Sequence, residues 1–282
     1  MTRIALLGTG LLGSALAEAA AKRGDQVTVW NRTAEKAHAL EQFGITVAAT
    51  PADAVRAAKR VHLVLRDDAV VDAVIAQLRP GLDADAIIVD HTTNLPAPTA
   101  KRVERLNAKG VRYLHCPVFI GPAAARLGQG TILVSGPQSL FDAVRDDLAR
   151  MATKLEYAGA RGDLAAVYKL CGNAFIIGIN ALVADVFSVS SAASVPLADA
   201  LRVMQFFDPS AVIAGRGKNM MAKAYTPTFE LEMARKDVRL MIETAGSKPL
   251  AMLPAIAARM DALIADGHGA DDLAVMGKDA IA

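Results

Sequence analysis

Residues 163–193, DLAAVYKLCGNAFIIGINALVADVFSVSSAA, contain no proline and carry apolar residues on nearly every side of a helix. As one helix they would extend roughly 45 Å, at about 1.5 Å per residue. A helix that is apolar all round belongs in a protein core or in a membrane. Lys169, Asn173 and Asp185 interrupt the only window that could span a bilayer, and no basic flank marks an inside end. We therefore predict a long, deeply buried central helix and no membrane span.

Lys169 is the residue of this helix that suggests chemistry. Lysine is rarely buried unless it is paired or used, and burial lowers its pKa from about 10.4. Asn173 follows at i+4, so the two side chains share one face. The alternative is a structural lysine near the helix start, whose amine extends to water. The functional interpretation is a proton donor and acceptor with an amide beside it that orients a substrate oxygen.

Composition favours a soluble chain of about two domains, although one large domain is possible. The chain has 282 residues, 53% of them hydrophobic, and its net charge of +2 is dispersed, which does not indicate nucleic-acid binding. Cys116 and Cys171 show neither a pairing pattern nor metal-ligand spacing, which suggests a reducing compartment. Met1 leads directly into a strand pattern without a signal peptide. We expect a cytoplasmic protein without a metal.

A glycine-rich turn near the start predicts a nucleotide site. The apolar run RIALL at 3–7 precedes GTGLLG, a helical pattern follows, and QVTVW at 26–30 forms the next strand. Such glycines allow a tight turn and close approach of a pyrophosphate to the helix N-terminus. The context is that of a dinucleotide fingerprint rather than of a plain glycine turn. The predicted cofactor residues here are Gly8, Thr9, Gly10, Leu11, Leu12 and Gly13.

The second strand ends in Asn31, Arg32 and Thr33, which bear on the choice of cofactor. An acidic residue at this point would bind the ribose 2′-hydroxyl of NAD, whereas an arginine accommodates the 2′-phosphate of NADP. No acid occurs there, and the planar guanidinium of Arg32 suits a phosphate. The alternative is a solvated arginine in a turn. We predict a preference for NADP(H), with NAD(H) remaining possible.

Strand and helix patterns alternate to about residue 157, and the chain beyond is helical throughout. Strands separated by helices indicate right-handed βαβ units and a mainly parallel, doubly wound sheet. We predict an α/β Rossmann domain at 1–161 and an all-α domain at 162–282, which contains the long central helix. Ligands of such sheets lie beyond the carboxyl ends of the strands. That edge adds Val64, Leu65, Arg66 and Thr93 to the predicted cofactor residues.

Two further features concern the substrate and the assembly. The segment 116–125, CPVFIGPAAA, is predicted to be a compact loop that forms a wall of the site. The apolar central helix needs more cover than its own neighbours provide, so we predict a homodimer that buries part of it. Pairing of dimers into a tetramer is left open.

At this point the chain resembles the β-hydroxyacid dehydrogenase family, which includes 3-hydroxyisobutyrate dehydrogenase and succinic semialdehyde/glyoxylate reductases. The resemblance covers nearly the whole length and lies in blocks that follow in the family's order and spacing. These blocks are GTGLLG, CPVFIGPAAARLGQGTI, KLCGN on the long helix, and RKDVRL followed by DGHGADDLAVM. The family's fold is a Rossmann domain joined to an all-helical domain, similar to that of 6-phosphogluconate dehydrogenase.

The resemblance implies roles for individual residues. Lys169 matches the catalytic lysine, and Asn173 matches the asparagine that orients the substrate. Lys236 matches a lysine at the nicotinamide end of the cofactor, the alternative being a solvated helix charge. Thr93 matches the threonine where cofactor and substrate meet, and Phe229 matches an aromatic residue that helps to close the pocket.

The chain also departs from the family's pattern around the substrate. Phe119 and Ile120 replace a serine and a glycine that hold a substrate carboxylate, and only Gly121 of that group remains. Gly172 replaces an asparagine, and Arg66 stands where the family has proline and could contact a phosphate. Apolar groups cannot donate a hydrogen bond, which argues against a small hydroxy-carboxylate and favours a less polar carbonyl or an imine.

We therefore expect an NADP(H)-dependent oxidoreductase acting on CH–OH groups, of EC 1.1.1 type. Hydride would pass between the nicotinamide and a small hydroxy acid, aldehyde or less polar carbonyl, with Lys169 as general acid and base. One alternative is an imine reductase-like enzyme, against which the lysine argues because those enzymes usually carry aspartate or tyrosine there. The other is a catalytically silent NADPH-binding interaction module, which retention of both Lys169 and Asn173 disfavours.

Overall fold

The computed structural model describes residues 2–281 and divides into two compact units, one extending to Asn173 and the other beginning at Ala174. The boundary between them lies within the long helix. The sequence instead predicted a domain boundary before that helix, near residue 161.

The first unit is built on a twisted sheet of strands that lie mainly parallel. Within residues 2–281 the strands join in the order β3-β2-β1-β4-β5-β6-β8-β7, with β9 paired to β8. The strands β1 to β6 run parallel, β8 is antiparallel to β6 and β7, and β9 is parallel to β8. Their bounds are β1 Arg3–Leu7, β2 Gln26–Trp30, β3 Thr46–Val47, β4 Arg60–Leu63, β5 Ile87–Asp90, β6 Arg112–His115, β7 Val118–Phe119, β8 Thr131–Ser135 and β9 Lys154–Gly159.

Helices cover both faces of this sheet. Successive side chains of a strand point to opposite faces, so Leu6 of β1 enters one apolar cluster and Leu7 enters the other. The helices are α1 Leu11–Lys22, α2 Ala34–His38, α3 Pro51–Ala54, α4 Asp68–Leu78, α5 Pro96–Ala108, α6 Pro122–Arg126, α7 Gln138–Ala149 and the start of α8 Leu164–Ala192. The predicted α/β Rossmann architecture with a helical C-terminal region is confirmed.

The segment predicted to be a loop at 116–125 is partly regular. Val118 and Phe119 form β7, which pairs with Ile132 and Thr131 of β8. Pro122 then begins the short α6, at the position in a helix where proline is best tolerated. The segment is therefore held by backbone hydrogen bonds rather than by loop packing alone.

The second unit is helical. After α8 come α9 Leu197–Ala200, a 3-10 turn at Leu201–Gln205, α10 Pro209–Met221, α11 Leu231–Ala245, α12 Leu253–Leu263, a π-helical turn at Ile264–His268 and a 3-10 segment at Leu273–Ala280. Its core lies between α11, α12 and the C-terminal segment, where Leu231, Leu263 and Val275 are fully buried. Asp185 of α8 is 1% exposed and accepts the N–H groups of Ala251, Met252 and Leu253, which fixes the start of α12.

The prediction that the long helix is deeply buried is wrong for the single chain. By length and composition α8 could cross a membrane, yet only 6% of its most apolar 18-residue window is buried. Large apolar side chains of its middle turns are exposed, with Ile177 at 68%. The pattern shows that these residues avoid water, but it does not show what covers them.

Candidate active site

The glycine-rich turn connects β1 to α1 with no room for side chains at two positions. Gly8 has φ +102°, and a Cβ there would lie 2.2 Å from the carbonyl oxygen of Val64. A Cβ on Gly13 would lie 1.9 Å from the carbonyl oxygen of Gly8. Gly10 instead faces open space, and no side chain caps α1. The first amides of α1 are therefore open to an anion, which fits the pyrophosphate of a dinucleotide.

A cavity of about 620 Å³ opens beside this turn, a size typical of ligand pockets. Of the described residues that line it, none is acidic and three are basic: Arg32, Lys36 and Arg66. Arg66 also pairs with Asp67 at 2.7 Å, which partly neutralises it. The lining includes these predicted cofactor residues: Gly8, Gly10, Asn31, Arg32, Thr33, Val64, Leu65 and Arg66. The cavity therefore suits a phosphate-bearing ligand.

Lys36 was missed by the sequence reasoning. It lies on α2, four residues after Arg32, and lines the same cavity. Both side chains are exposed and free to reach a ligand. The signal available in the sequence was a second basic residue close to Arg32 at the start of the following helix pattern.

Asn31 joins the two sides of the nucleotide site. Its Oδ1 accepts the backbone N–H of Thr9 at 3.0 Å, and its Nδ2 donates to the carbonyl of Thr33 at 2.9 Å. The residue at the end of β2 is therefore structural as well as ligand-lining. Of the other predicted residues, Leu11 is exposed at the start of α1, while Thr9 is buried behind the turn.

Thr93 lies at the carboxyl edge of the sheet, in a turn fixed by Asp90. The carboxylate of Asp90 is fully buried and accepts from the backbone of Thr92, the amide of Asn94 and the hydroxyl of Tyr113, at 2.9, 2.9 and 2.7 Å. Thr92 in turn accepts the backbone N–H of Leu65 through its Oγ1, at 3.0 Å. This links the loop after β5 to the loop after β4 and leaves Thr93 exposed between them.

Three buried histidines support the same carboxyl edge of the sheet, and no sequence motif predicted this network. His91 Nδ1 lies 2.7 Å from the carbonyl of Cys116, which can only accept, so the proton lies on Nδ1. The Nε2 of His91 therefore accepts from Nδ1 of His62 at 3.0 Å. His115 donates through Nε2 to the carbonyl of Thr92 at 3.0 Å. Burial lowers the pKa of all three histidines, which holds them neutral.

Lys169 and Asn173 meet as their spacing predicts. Nζ of Lys169 donates to Oδ1 of Asn173 at 2.9 Å, and the lysine is only 9% exposed. Burial lowers the pKa of Lys169. The amine also lies 4.0 Å from the ring centroid of Phe119. The structure thus places an oriented, partly desolvated amine against an aromatic ring.

The remaining predicted site residues have defined surroundings of their own. Ile120 packs against the core of the first unit, and Gly121 precedes α6. In the second unit, Lys236 of α11 pairs with Asp237 at 3.1 Å, and the backbone N–H of Phe229 donates to Asp272 at 3.2 Å. The roles of Lys236 and Phe229 toward cofactor and substrate stay predictions.

Comparisons with known proteins show the family to which the chain is related. Residues 3–159 match the family described as the NAD binding domain of 6-phosphogluconate dehydrogenase. The 3-sulfolactaldehyde reductase of Escherichia coli (strain K12) is 29% identical over 255 residues, 87% of this chain and 84% of that protein. Glyoxylate/succinic semialdehyde reductase 1 of Arabidopsis thaliana is 29% identical over 267 residues, 88% of each chain.

A solved structure extends the likeness to the whole chain. The imine reductase from Pseudomonas sp. superposes with a TM-score of 0.87 over 98% of both chains at 23% sequence identity, which shows a common fold. The family match covers more than half of the chain and includes the glycine-rich turn and the cavity beside it. The chain therefore belongs to the family of the NAD binding domain of 6-phosphogluconate dehydrogenase, and is an NAD(P)-binding oxidoreductase of the β-hydroxyacid dehydrogenase type.

Proposed function

We propose that this protein is an NADPH-dependent reductase of small carbonyl compounds, with Lys169 as its general acid and base. The observation that carries the proposal is the amine of Lys169, 9% exposed and held at 2.9 Å by Asn173. A buried amine with a lowered pKa exchanges protons closer to neutral pH than an ordinary lysine does.

The chain's own residues would bind, orient and exchange a proton. When bound, NADPH supplies the hydride. The helix α1 start and the glycine-rich turn would hold its pyrophosphate. Lys169 would give its proton to the substrate oxygen during reduction and take it back during oxidation. Asn173 would fix the position of the amine, so that the proton is delivered along one direction.

The preference for NADPH rests on charge. Arg32 and Lys36 line the cavity, where no described lining residue is acidic. Arg32→Ala should raise the KM for NADPH by about 10-fold or more, because a charge-assisted hydrogen bond to phosphate is worth about 1.5–3 kcal/mol. The KM for NADH should stay unchanged. Equal constants for both cofactors in the wild type would overturn the preference.

Reduction of imines is the second candidate function. Phe119 and Ile120 present apolar side chains where a carboxylate-binding hydroxyl is expected from the family's pattern, and this suits a hydrophobic imine. In that reaction Lys169 would protonate nitrogen instead of oxygen. A panel of aldehydes, keto acids and cyclic imines with NADPH distinguishes the two candidates, and tight NADPH binding without turnover of any of them would indicate a silent binding module.

The decisive test replaces the amine. Lys169→Met keeps an unbranched apolar side chain and should lower kcat by about 10²–10⁴-fold without altering NADPH affinity, measured by fluorescence titration. Lys154→Met is the matched control, because Lys154 lies exposed on β9 of the same unit. Wild-type turnover in Lys169→Met would exclude the proposed role.

We also propose that the protein is a cytoplasmic homodimer in which a second copy covers the exposed apolar face of α8, and that the dimers could pair further into a tetramer. Phe175, Ile177 and Leu182 of this face are between 46% and 68% exposed in the single chain. Light scattering should give twice the mass of the chain or a multiple of that. Ile177→Glu should dissociate the assembly, whereas Ser191→Glu, at the exposed end of the same helix, should not. A monomeric wild type at micromolar concentration would contradict the proposal.

A further inference from the structure

The contact between Phe119 and α8 is possible only because residue 172 is glycine. A Cβ on Gly172 would lie 2.3 Å from Cζ of Phe119 and 2.8 Å from its Cε1. Real side chains do not approach so closely, so any larger residue at 172 would displace the ring. Gly172 is in the interior of a helix, where glycine is less stable than alanine by about 1 kcal/mol. Its presence is therefore best explained by the ring that it admits.

The backbone holds Phe119 rigidly in this place. Phe119 pairs with Thr131 of β8, and its neighbour Ile120 packs against the core. Gly130 has φ +113°, and a Cβ there would lie 2.7 Å from both Cγ1 of Ile120 and the carbonyl oxygen of Phe119. The segment of Phe119 and Ile120 therefore packs closely against Gly130, where a side chain would not fit. The ring has little freedom to leave the amine of Lys169.

The ring changes what the site can accept. Its face carries partial negative charge, which attracts an ammonium and repels an anion. It also offers no hydrogen-bond donor. Among the described residues of the first unit, no acidic group forms an ion pair with Lys169, so the ring and Asn173 are the groups seen against its amine. A carboxylate brought to this place would lose water without gaining a donor from Phe119.

We propose that Phe119 and Gly172 form a specificity-determining pair that discriminates against substrates carrying a carboxylate. The substrate is then an uncharged aldehyde, ketone or imine, whose apolar substituent packs against Phe119 and Ile120. This proposal rests on the function proposed above and deepens it by naming the substrate class.

The test compares two aldehydes of equal chain length, butanal and 4-oxobutanoate, which differ in a terminal carboxylate. The wild type should favour butanal in kcat/KM by about 100-fold, because Phe119 offers the carboxylate no donor in exchange for the water that it loses. Phe119→Ser opens the space and adds a donor, and should reduce this ratio by at least about 10-fold. Phe119→Leu keeps an apolar, donor-free side chain and should preserve the preference.

The pairing with Gly172 is tested by a double-mutant cycle. Gly172→Ala should lower kcat/KM for butanal by about 10-fold or more, because its Cβ displaces the ring of Phe119 from the amine of Lys169. In the background of Phe119→Ala, the same change should have no effect on kcat/KM. Phe141→Leu removes a different ring from the core of the same unit and should leave the substrate ratio as in the wild type.

The outcomes separate this inference from the proposed function. If the enzyme reduces 4-oxobutanoate as well as butanal, or if Phe119→Ser leaves the ratio unchanged, the specificity pair is wrong although the reductase remains. Additive effects of Gly172→Ala and Phe119→Ala would also overturn the pairing. If no carbonyl or imine is reduced although NADPH binds, the proposed function itself fails.

Discussion

Acid should destabilise this protein well above the pH at which carboxylates titrate, because three histidines are buried in neutral form. His62, His91 and His115 are each at most 3% exposed, and burial lowers the pKa of each one. In the unfolded chain their pKa is about 6.5. As the pH falls below that value, the histidines bind protons in the unfolded state but stay neutral in the folded state. The contribution of the three neutral histidines to the free energy of unfolding is therefore fully present above about pH 7, and it is lost as the solution becomes acidic.

The size of the effect follows from proton linkage. At pH 5.5 an unfolded histidine is roughly nine-tenths protonated, and the linked free energy between pH 7.5 and 5.5 is about 1.4 kcal/mol per neutral buried ring. Three rings together give up to about 4 kcal/mol, a large part of the roughly 5–15 kcal/mol by which most domains are stable. Ordinary carboxylates, with a pKa near 4, contribute little in this interval.

The assay is urea unfolding of the cofactor-free protein at several pH values, followed by tryptophan fluorescence. The chain has one tryptophan, Trp30, at the end of β2, so the signal reports on the first unit. His62→Leu should lower stability at every pH, since His91 loses its donor, but should flatten the pH dependence by about a third. A free energy of unfolding that is constant or rises from pH 7.5 to 5.5 would refute the reasoning.

Other changes test the two units separately. Gly13→Ala should destabilise the first unit by about 1–3 kcal/mol and weaken cofactor binding, because its Cβ would lie 1.9 Å from a carbonyl oxygen. Gly10→Ala is the control, and it should leave the midpoint of urea unfolding unchanged because its Cβ would point into open space. Asp272→Asn should lower the stability of the second unit by about 2–3 kcal/mol, because the buried carboxylate accepts hydrogen bonds from Arg216 and from several backbone amides. The measurement is urea unfolding followed by circular dichroism, and a wild-type midpoint would contradict this expectation. Asp185→Ala should lower the free energy of unfolding by about 2–3 kcal/mol in the same measurement, because the three amides at the start of α12 lose their shared acceptor. A loss below about 0.5 kcal/mol would show that water replaces the carboxylate.

Local patterns were sufficient for most of the fold and for part of the site. The alternation of strands and helices predicted the sheet, since each strand and helix carries its own periodicity. The contact between Lys169 and Asn173 was predictable because i+4 spacing is a property of one helix. Sequence reasoning placed Phe119 in the substrate wall but not over the amine, because that contact joins residues 50 positions apart through the pairing of β7 with β8.

The failures have a common cause. The apolar pattern of α8 identifies residues whose exposure to water is unfavourable, but burial depends on partners that the pattern does not specify. The histidine network is likewise invisible in the sequence, because His62, His91 and His115 come from three different strands or strand ends that only the sheet brings together.

Asn31 limits how this site could acquire an acidic residue that binds a cofactor ribose. Aspartate at this position would resemble the acidic residue that binds the ribose of NAD, and one base change converts asparagine to aspartate. An aspartate could still accept the amide of Thr9, but its other oxygen would oppose the carbonyl of Thr33, to which Asn31 now donates. A lineage that acquired an acidic ribose-binding residue by that route would have to rebuild the turn after β2 at the same time, although the substitution itself needs only one base change.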